Sequence, residues 1–151
     1  MTGREKKEYN DLFFVCSLIE YIGRKTKNHR NVVTRAIGKE KLQHLYDLAD
    51  VYHSENIDKL SDELIAQCAI EEGSFDNVAA GKYAIPTHWD IGKVYKRLIV
   101  DVAEKQNKEP IEALMEVYNS WLSPKIDDFN SSLYYESPGY LYESYNKGEV
   151  L

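Results

Sequence analysis

Residues 83–105, YAIPTHWDIGKVYKRLIVDVAEK, constrain the fold of this chain more than any other stretch, because a helix-start signal leads directly into the longest well-patterned helix. Pro86 blocks helix before that point. The Thr87 hydroxyl is placed to accept a first-turn amide hydrogen, and Asp90 three residues on can answer back and complement the positive end of the helix dipole. Ile91, Val94, Tyr95, Leu98, Ile99 and Val102 then recur at helical spacing, with Lys93, Lys96, Arg97, Asp101 and Glu104 on the other side. Gly92 inside this helix costs about 1 kcal/mol against alanine, which predicts a close crossing by a neighbouring element. His88 and Trp89 in the first turn read as the closing edge of a core, with a ligand pocket as the alternative.

The same 3.6-residue pattern recurs along the chain. Residues 5–22 contain LFFVCSLIEYI, apolar on nearly every side apart from Ser17 and Glu20, and such a helix sits inside a fold. Gly23 is placed to end it. Asn31 and Gly38 bracket a short helix over VVTRAI, and residues 39–53 form an amphipathic helix on Leu42, Leu45, Tyr46, Ala49 and Tyr52. Ser54 or Asn56 caps the next helix, which carries Ile57, Leu60, Leu64, Ile65 and Cys68. Periodicity lapses from 71 to Pro86, a loop. Pro110 suits a first-turn position for the stripe Ile111, Leu114, Met115, Tyr118, Trp121 and Leu122. Ser123-Pro124 starts a shorter helix with Ile126, Phe129 and Leu133, and Ser137-Pro138-Gly139 turns the chain into its tail. Strand alternation, heptads and repeats are absent from the sequence, so it predicts an all-α domain of about seven or eight helices. One domain over 1–151 is expected, with a subdivision into 1–70 and 83–151 open.

At 151 residues the chain is long enough to bury a core without staples. Cys16 and Cys68 lie among apolar residues and read as buried thiols. The opening MTGREKKEYN lacks an apolar signal core, and no run approaches the ~20 apolar residues of a membrane span, so a cytoplasmic protein is expected. The net charge of −6 is unevenly spread: residues 1–41 hold ten Lys/Arg against five Asp/Glu, and residues 42–151 hold nine against twenty. Arg24, Lys25, Lys27, Arg30 and Arg35, with Lys39 and Lys41, crowd around one turn. Such a cluster can neutralise phosphates or meet an acidic protein surface, and it can equally be a solvated loop balanced internally.

Chemistry is harder to place. His29, His44, His53 and His88 form no i, i+4 pair, so neither a metal site nor a cofactor is expected. Asp47, Asp50, Asp58, Asp62 and Glu63 read as solvated acidic faces. The nucleophile elbow, the phosphate-cradling glycine loop and the P-loop are missing. The spacing from Arg24 to His29 resembles the arginine, four residues, histidine motif of helical HEPN ribonucleases, in which the pair lies on one helix of a dimeric bundle. Here it falls across the basic turn.

Five of the twelve tyrosines, Tyr134, Tyr135, Tyr140, Tyr142 and Tyr145, lie in the last eighteen residues, mixed with Glu136 and Glu143. Rings of this kind supply contact area with a polar tip and are enriched at interfaces; a tail folded back over the core would use them equally well. The segments FFVCSLIEYI and LYDLADVYH, ending at His53, resemble a family of short helical bacterial proteins of unknown function, often encoded beside proteins like ADP-ribosyltransferases. The resemblance covers less than half the chain. It implies a bacterial accessory protein, of the kind that neutralises a partner in a toxin–antitoxin or defence module. The reading that follows is a non-catalytic protein-binding protein using an acidic, tyrosine-rich surface, with nucleic-acid binding or HEPN-like cleavage through the basic cluster as the alternative.

Overall fold

The capping signal at Thr87 is realised in full. In the computed structural model, which describes residues 7–52 and 54–151, the Asp90 amide donates to Thr87 Oγ1 at 3.0 Å and the Thr87 amide donates to Asp90 Oδ2 at 2.9 Å. The helix so started, α6, runs His88–Lys105. Its main partner is α1, Lys7–Thr26. Gly92 lies where they cross: a Cβ there would stand 2.4 Å from Ser17 Oγ and 2.9 Å from the Ser17 backbone. The expected close crossing is therefore found, and α1 is its source.

Around this pair lie α2 (Arg30–Ile37), α3 (Lys39–Asp47), α4 (Ala49–Tyr52), α5 (Ile57–Gln67), α7 (Pro110–Tyr118), α8 (Ser123–Ile126), a 3₁₀ turn at Leu133–Tyr135 and α9 (Pro138–Lys147). The described residues thus form nine α-helices and no strand. α2 and α3 pack on α7, and α9 packs on α6. Residues from both 1–70 and 83–151 share a single core, in which Val15, Ile19, Leu98, Ile99 and Leu114 are fully buried. No described helix is long and apolar enough to cross a membrane.

Several boundaries differ from the sequence expectation. Gly23 does not end α1, which continues to Thr26 and stops at Lys27, in the left-handed region at φ 57°. Glycine is needed at 23 for another reason, since a Cβ would meet the Arg30 side chain at 2.4–2.7 Å. Asn31 is inside α2 rather than its cap; His29 precedes the helix, and Gly38 ends it at φ 86°. The helix expected over 39–53 breaks at Leu48 into α3 and α4. Its expected end, His53, lies outside the described residues, as do residues 1–6, on which the absence of a signal core was partly read. Asn56 caps α5, accepting from the amides of Asp58 and Lys59. Helix α7 stops at Tyr118, short of Trp121, and Ser123-Pro124 opens only a four-residue turn. Ser137-Pro138 begins a helix instead of turning the chain, with Ser137 Oγ accepting from the Tyr140 amide. Lys96, expected to face water, is buried, its ammonium 6.0 Å from the Tyr9 ring centre.

Candidate functional site

A carboxylate among apolar neighbours must find a partner, and Glu20 is fully buried in the middle of α1. Arg30 Nε donates to Glu20 Oε1 at 3.1 Å, and the Tyr118 hydroxyl donates to Oε2 at 3.2 Å. The guanidinium, itself 1% exposed, also donates to the Asn28 carbonyl at 2.8 Å and to Asn77 Oδ1 at 3.4 Å. Arg30 reaches this position by lying across Gly23. Asn77 Nδ2 passes the network on to the Asp127 carbonyl at 3.0 Å, tying the 68–87 loop to the end of α8.

Asp127 is the second buried carboxyl. Its Oδ1 accepts from the Tyr95 hydroxyl at 2.8 Å, and that hydroxyl also lies 2.7 Å from Ser123 Oγ. The Tyr95 and Tyr118 rings stack with centroids 4.1 Å apart. Burial, reinforced by the Glu20 charge and opposed by Arg30, pushes the Asp127 carboxyl up to about 8. Burial likewise holds the Tyr95 and Tyr118 hydroxyls and the Cys16 thiol well above their ordinary values.

Above this cluster runs a groove. Asn77 and Asp127 contribute to its floor, Phe75, Asp76, Asp128 and Phe129 are among its walls, and its volume is about 550 Å³. Through Phe129 and Asn130 it continues into a second depression of about 310 Å³ walled by Tyr83, Tyr134 and Tyr135. Asn130 staples the two walls together, donating from Nδ2 to the Ala80 carbonyl at 3.1 Å and accepting the Lys82 amide at 2.8 Å. Tyr134 meets Phe129 and Tyr135 edge to face. Tyr83 is 71% and Tyr135 68% exposed.

The five tail tyrosines therefore divide. Tyr134 and Tyr135 line the groove, whereas Tyr142 is buried with the Lys105 ammonium 4.3 Å from its ring centre. Tyr145 is half-buried against the core, and Tyr140 packs there too while its hydroxyl donates to the Leu151 carbonyl. The tail does fold back, and only its first two rings line the groove.

The basic cluster also divides. Arg30 is buried with Glu20, and Arg24 donates to the Pro86 carbonyl at 2.5 Å with its guanidinium 5.3 Å from the Phe129 centroid. Lys25 lies 2.7 Å from Asp58 and 2.6 Å from Asp62, so two acids expected on solvated faces neutralise it. Lys27 stands 3.7 Å from Glu72, and Arg35 donates to Asn119 at 2.7 Å. Arg24 and His29 occupy different elements on either side of Lys27; His29 stacks on Phe75 at 3.9 Å. His88 sits edge-on to Tyr21, and both its Nε2 and Arg24 Nε are buried without a hydrogen-bond partner. Burial and the neighbouring Arg24 charge lower the His88 pKa.

Tyr83, Asn77, Asp127, Tyr95 and Tyr118 were not singled out in sequence as site residues. The available signal was Glu20, one carboxylate in an apolar helix, which demands a buried cation somewhere in the chain. Among the described residues no group of three or more His, Cys, Asp or Glu is placed to hold a metal ion. No family model, curated protein or solved structure matches this chain.

Proposed function

We propose that this chain is a cytoplasmic, non-catalytic bacterial accessory protein that binds another protein through the groove between the 74–83 and 127–135 segments. The observation that carries the reading is the placement of Tyr83 and Tyr135. They are the two most exposed large apolar side chains among the described residues, 52 positions apart in sequence, and they wall one depression. Covering both rings would gain on the order of 5 kcal/mol before the cost of association, enough to anchor an interface. The buried Glu20–Arg30–Asn77–Asp127 network holds the floor, so the groove is shaped before a partner arrives. Asp127, the carboxyl shifted into the neutral range, is closed from solvent and engaged by Tyr95, which suits support rather than proton transfer to a substrate. An antitoxin-like or defence-module role, as the N-terminal resemblance implies, needs a surface of this kind.

The test is capture of a partner from the native host by the tagged full chain, repeated with Tyr83→Ala/Tyr135→Ala. The double variant is expected to lose the partner while melting within about 2 °C of wild type, because exposed side chains contribute little to the free fold. Retention of the same partner by the folded double variant overturns the reading.

A further inference from the structure

Where α1, α3, α6 and the start of α7 meet beside the loop that carries Lys108, a corner of the core is left unfilled. Leu12 of α1 is buried there, while Val100 and Ala103 of α6 and Pro110 at the start of α7 keep part of their apolar surface open. The result is a half-enclosed pocket of about 210 Å³. We propose that this pocket binds a small neutral or cationic aromatic molecule of one or two fused rings that carries an N–H or O–H group.

Volume sets the size class. An apolar cavity of about 150 Å³ holds benzene, and drug-sized ligands need roughly 300–1,000 Å³, so a pocket between these limits takes a single or fused double ring. The Ala103 side chain decides that the space exists, since any larger residue at this position would fill it.

The rim sets the polarity. Tyr46 lines the pocket and its hydroxyl has no hydrogen-bond partner among the described residues, and burial followed by the charges of Glu8, Asp11 and Asp47 pushes it up to about 12. It therefore stays a phenol, able to donate or accept. Glu8 and Glu104 bring carboxylates to the mouth, with Glu104 accepting the Tyr9 hydroxyl. The cation of the lining, Lys108, is drawn to Glu116, with its Nζ 2.6 and 2.8 Å from the two carboxylate oxygens. The mouth is thus acidic, which favours a donor or an ammonium and disfavours an anion.

Indole, tryptamine and indole-3-acetate share one ring system and differ in charge, and each is titrated into the isotope-labelled full chain and followed by amide chemical shifts. Indole and tryptamine are expected to saturate by about 5 mM, with shifts centred on residues 9–12, 46 and 100–104, and indole-3-acetate to bind at least about fivefold more weakly. Ala103→Leu should abolish the indole shifts. If that variant does not fold, Tyr46→Phe, which removes only the hydroxyl, should weaken indole several-fold. The proposal is overturned by a lack of saturation, by shifts centred elsewhere, by equal binding of the anion, or by indole affinity unchanged in the variants.

Discussion

Arg30 is the residue on which the candidate site depends most. Taking a guanidinium and a carboxylate out of water costs several kcal/mol per ion, and Arg30 offsets that cost only because Glu20, Asn28 and Asn77 receive its donors together. Arg30→Met should therefore lower stability in urea by about 3–5 kcal/mol, since it leaves Glu20 buried with Tyr118 as its remaining partner. Adding Glu20→Gln should recover a large part of the loss. A single variant as stable as wild type would remove the cluster from the fold's supports. The neighbouring Asp127 makes a separate demand on pH. Its folded value of about 8 lies above an unfolded value near 3.8, so between these limits the unfolded chain has released a proton that the folded chain keeps. Stability must then fall as pH rises through that window. His88, whose folded pKa is lowered, acts in the opposite sense below its ordinary value, where stability is lost as pH falls. Comparison with Asp127→Asn isolates the carboxyl: the wild-type chain should lose stability between pH 5 and pH 8.5 relative to the variant. Parallel profiles would show that Asp127 is ionised throughout.

Among the elements, α9 carries the demand that separates packing from recognition. Leu141 and Tyr142 are buried, and Tyr142 lies beneath Lys105 of α6. Deleting residues 137–151 should therefore lower the melting temperature by several degrees, because apolar core is uncovered, while leaving Tyr83, Tyr134 and Tyr135 at the groove. An unchanged melting temperature would return the tail to the role of a free end. What was legible in sequence at this scale was local. The Thr87–Asp90 cap, the Asn56 cap and Pro110 at the start of α7 each need only residues within one turn. Gly92 was readable because glycine inside a strong helix calls for a tertiary reason, and the reason is Ser17. Gly23 misled, since its neighbour is a side chain seven residues on that folds back across it. The break at Leu48 and the shortness of α8 were equally invisible to periodicity, because apolar spacing is the same on both sides of an interruption. The groove was hidden for a related reason: one wall is the 71–86 loop, the other is a stretch whose Ile126, Phe129 and Leu133 read as helix although α8 ends at Ile126, and the two are brought together by Asn130 and Asn77.

Over the described residues of the whole molecule, the basic turn that marks the sequence is in good part neutralised or buried by the fold. Residues 1–41 hold ten Lys/Arg against five Asp/Glu, yet α5 and the following loop bring Asp58, Asp62 and Glu72 to Lys25 and Lys27. Arg30 is inside, and Arg24 is half-buried against Pro86 and Phe129. A protein that binds nucleic acid through released counterions needs free cations on one face, and its affinity then falls steeply with salt. Changing Arg24, Lys25, Lys27 and Arg30 together to serine is a poor test, because the loss of Arg30 unsettles the core and would abolish any activity. The informative variant replaces Lys25, Lys27 and Arg35, which reach solvent, and keeps the buried arginine. Wild type and this triple variant are expected to behave alike toward single-stranded RNA and duplex DNA, with no affinity that collapses between 50 and 200 mM salt. Binding at low salt with a log–log slope near −3 or steeper, flattened in the folded triple variant, would instead place the function at the turn between α1 and α2.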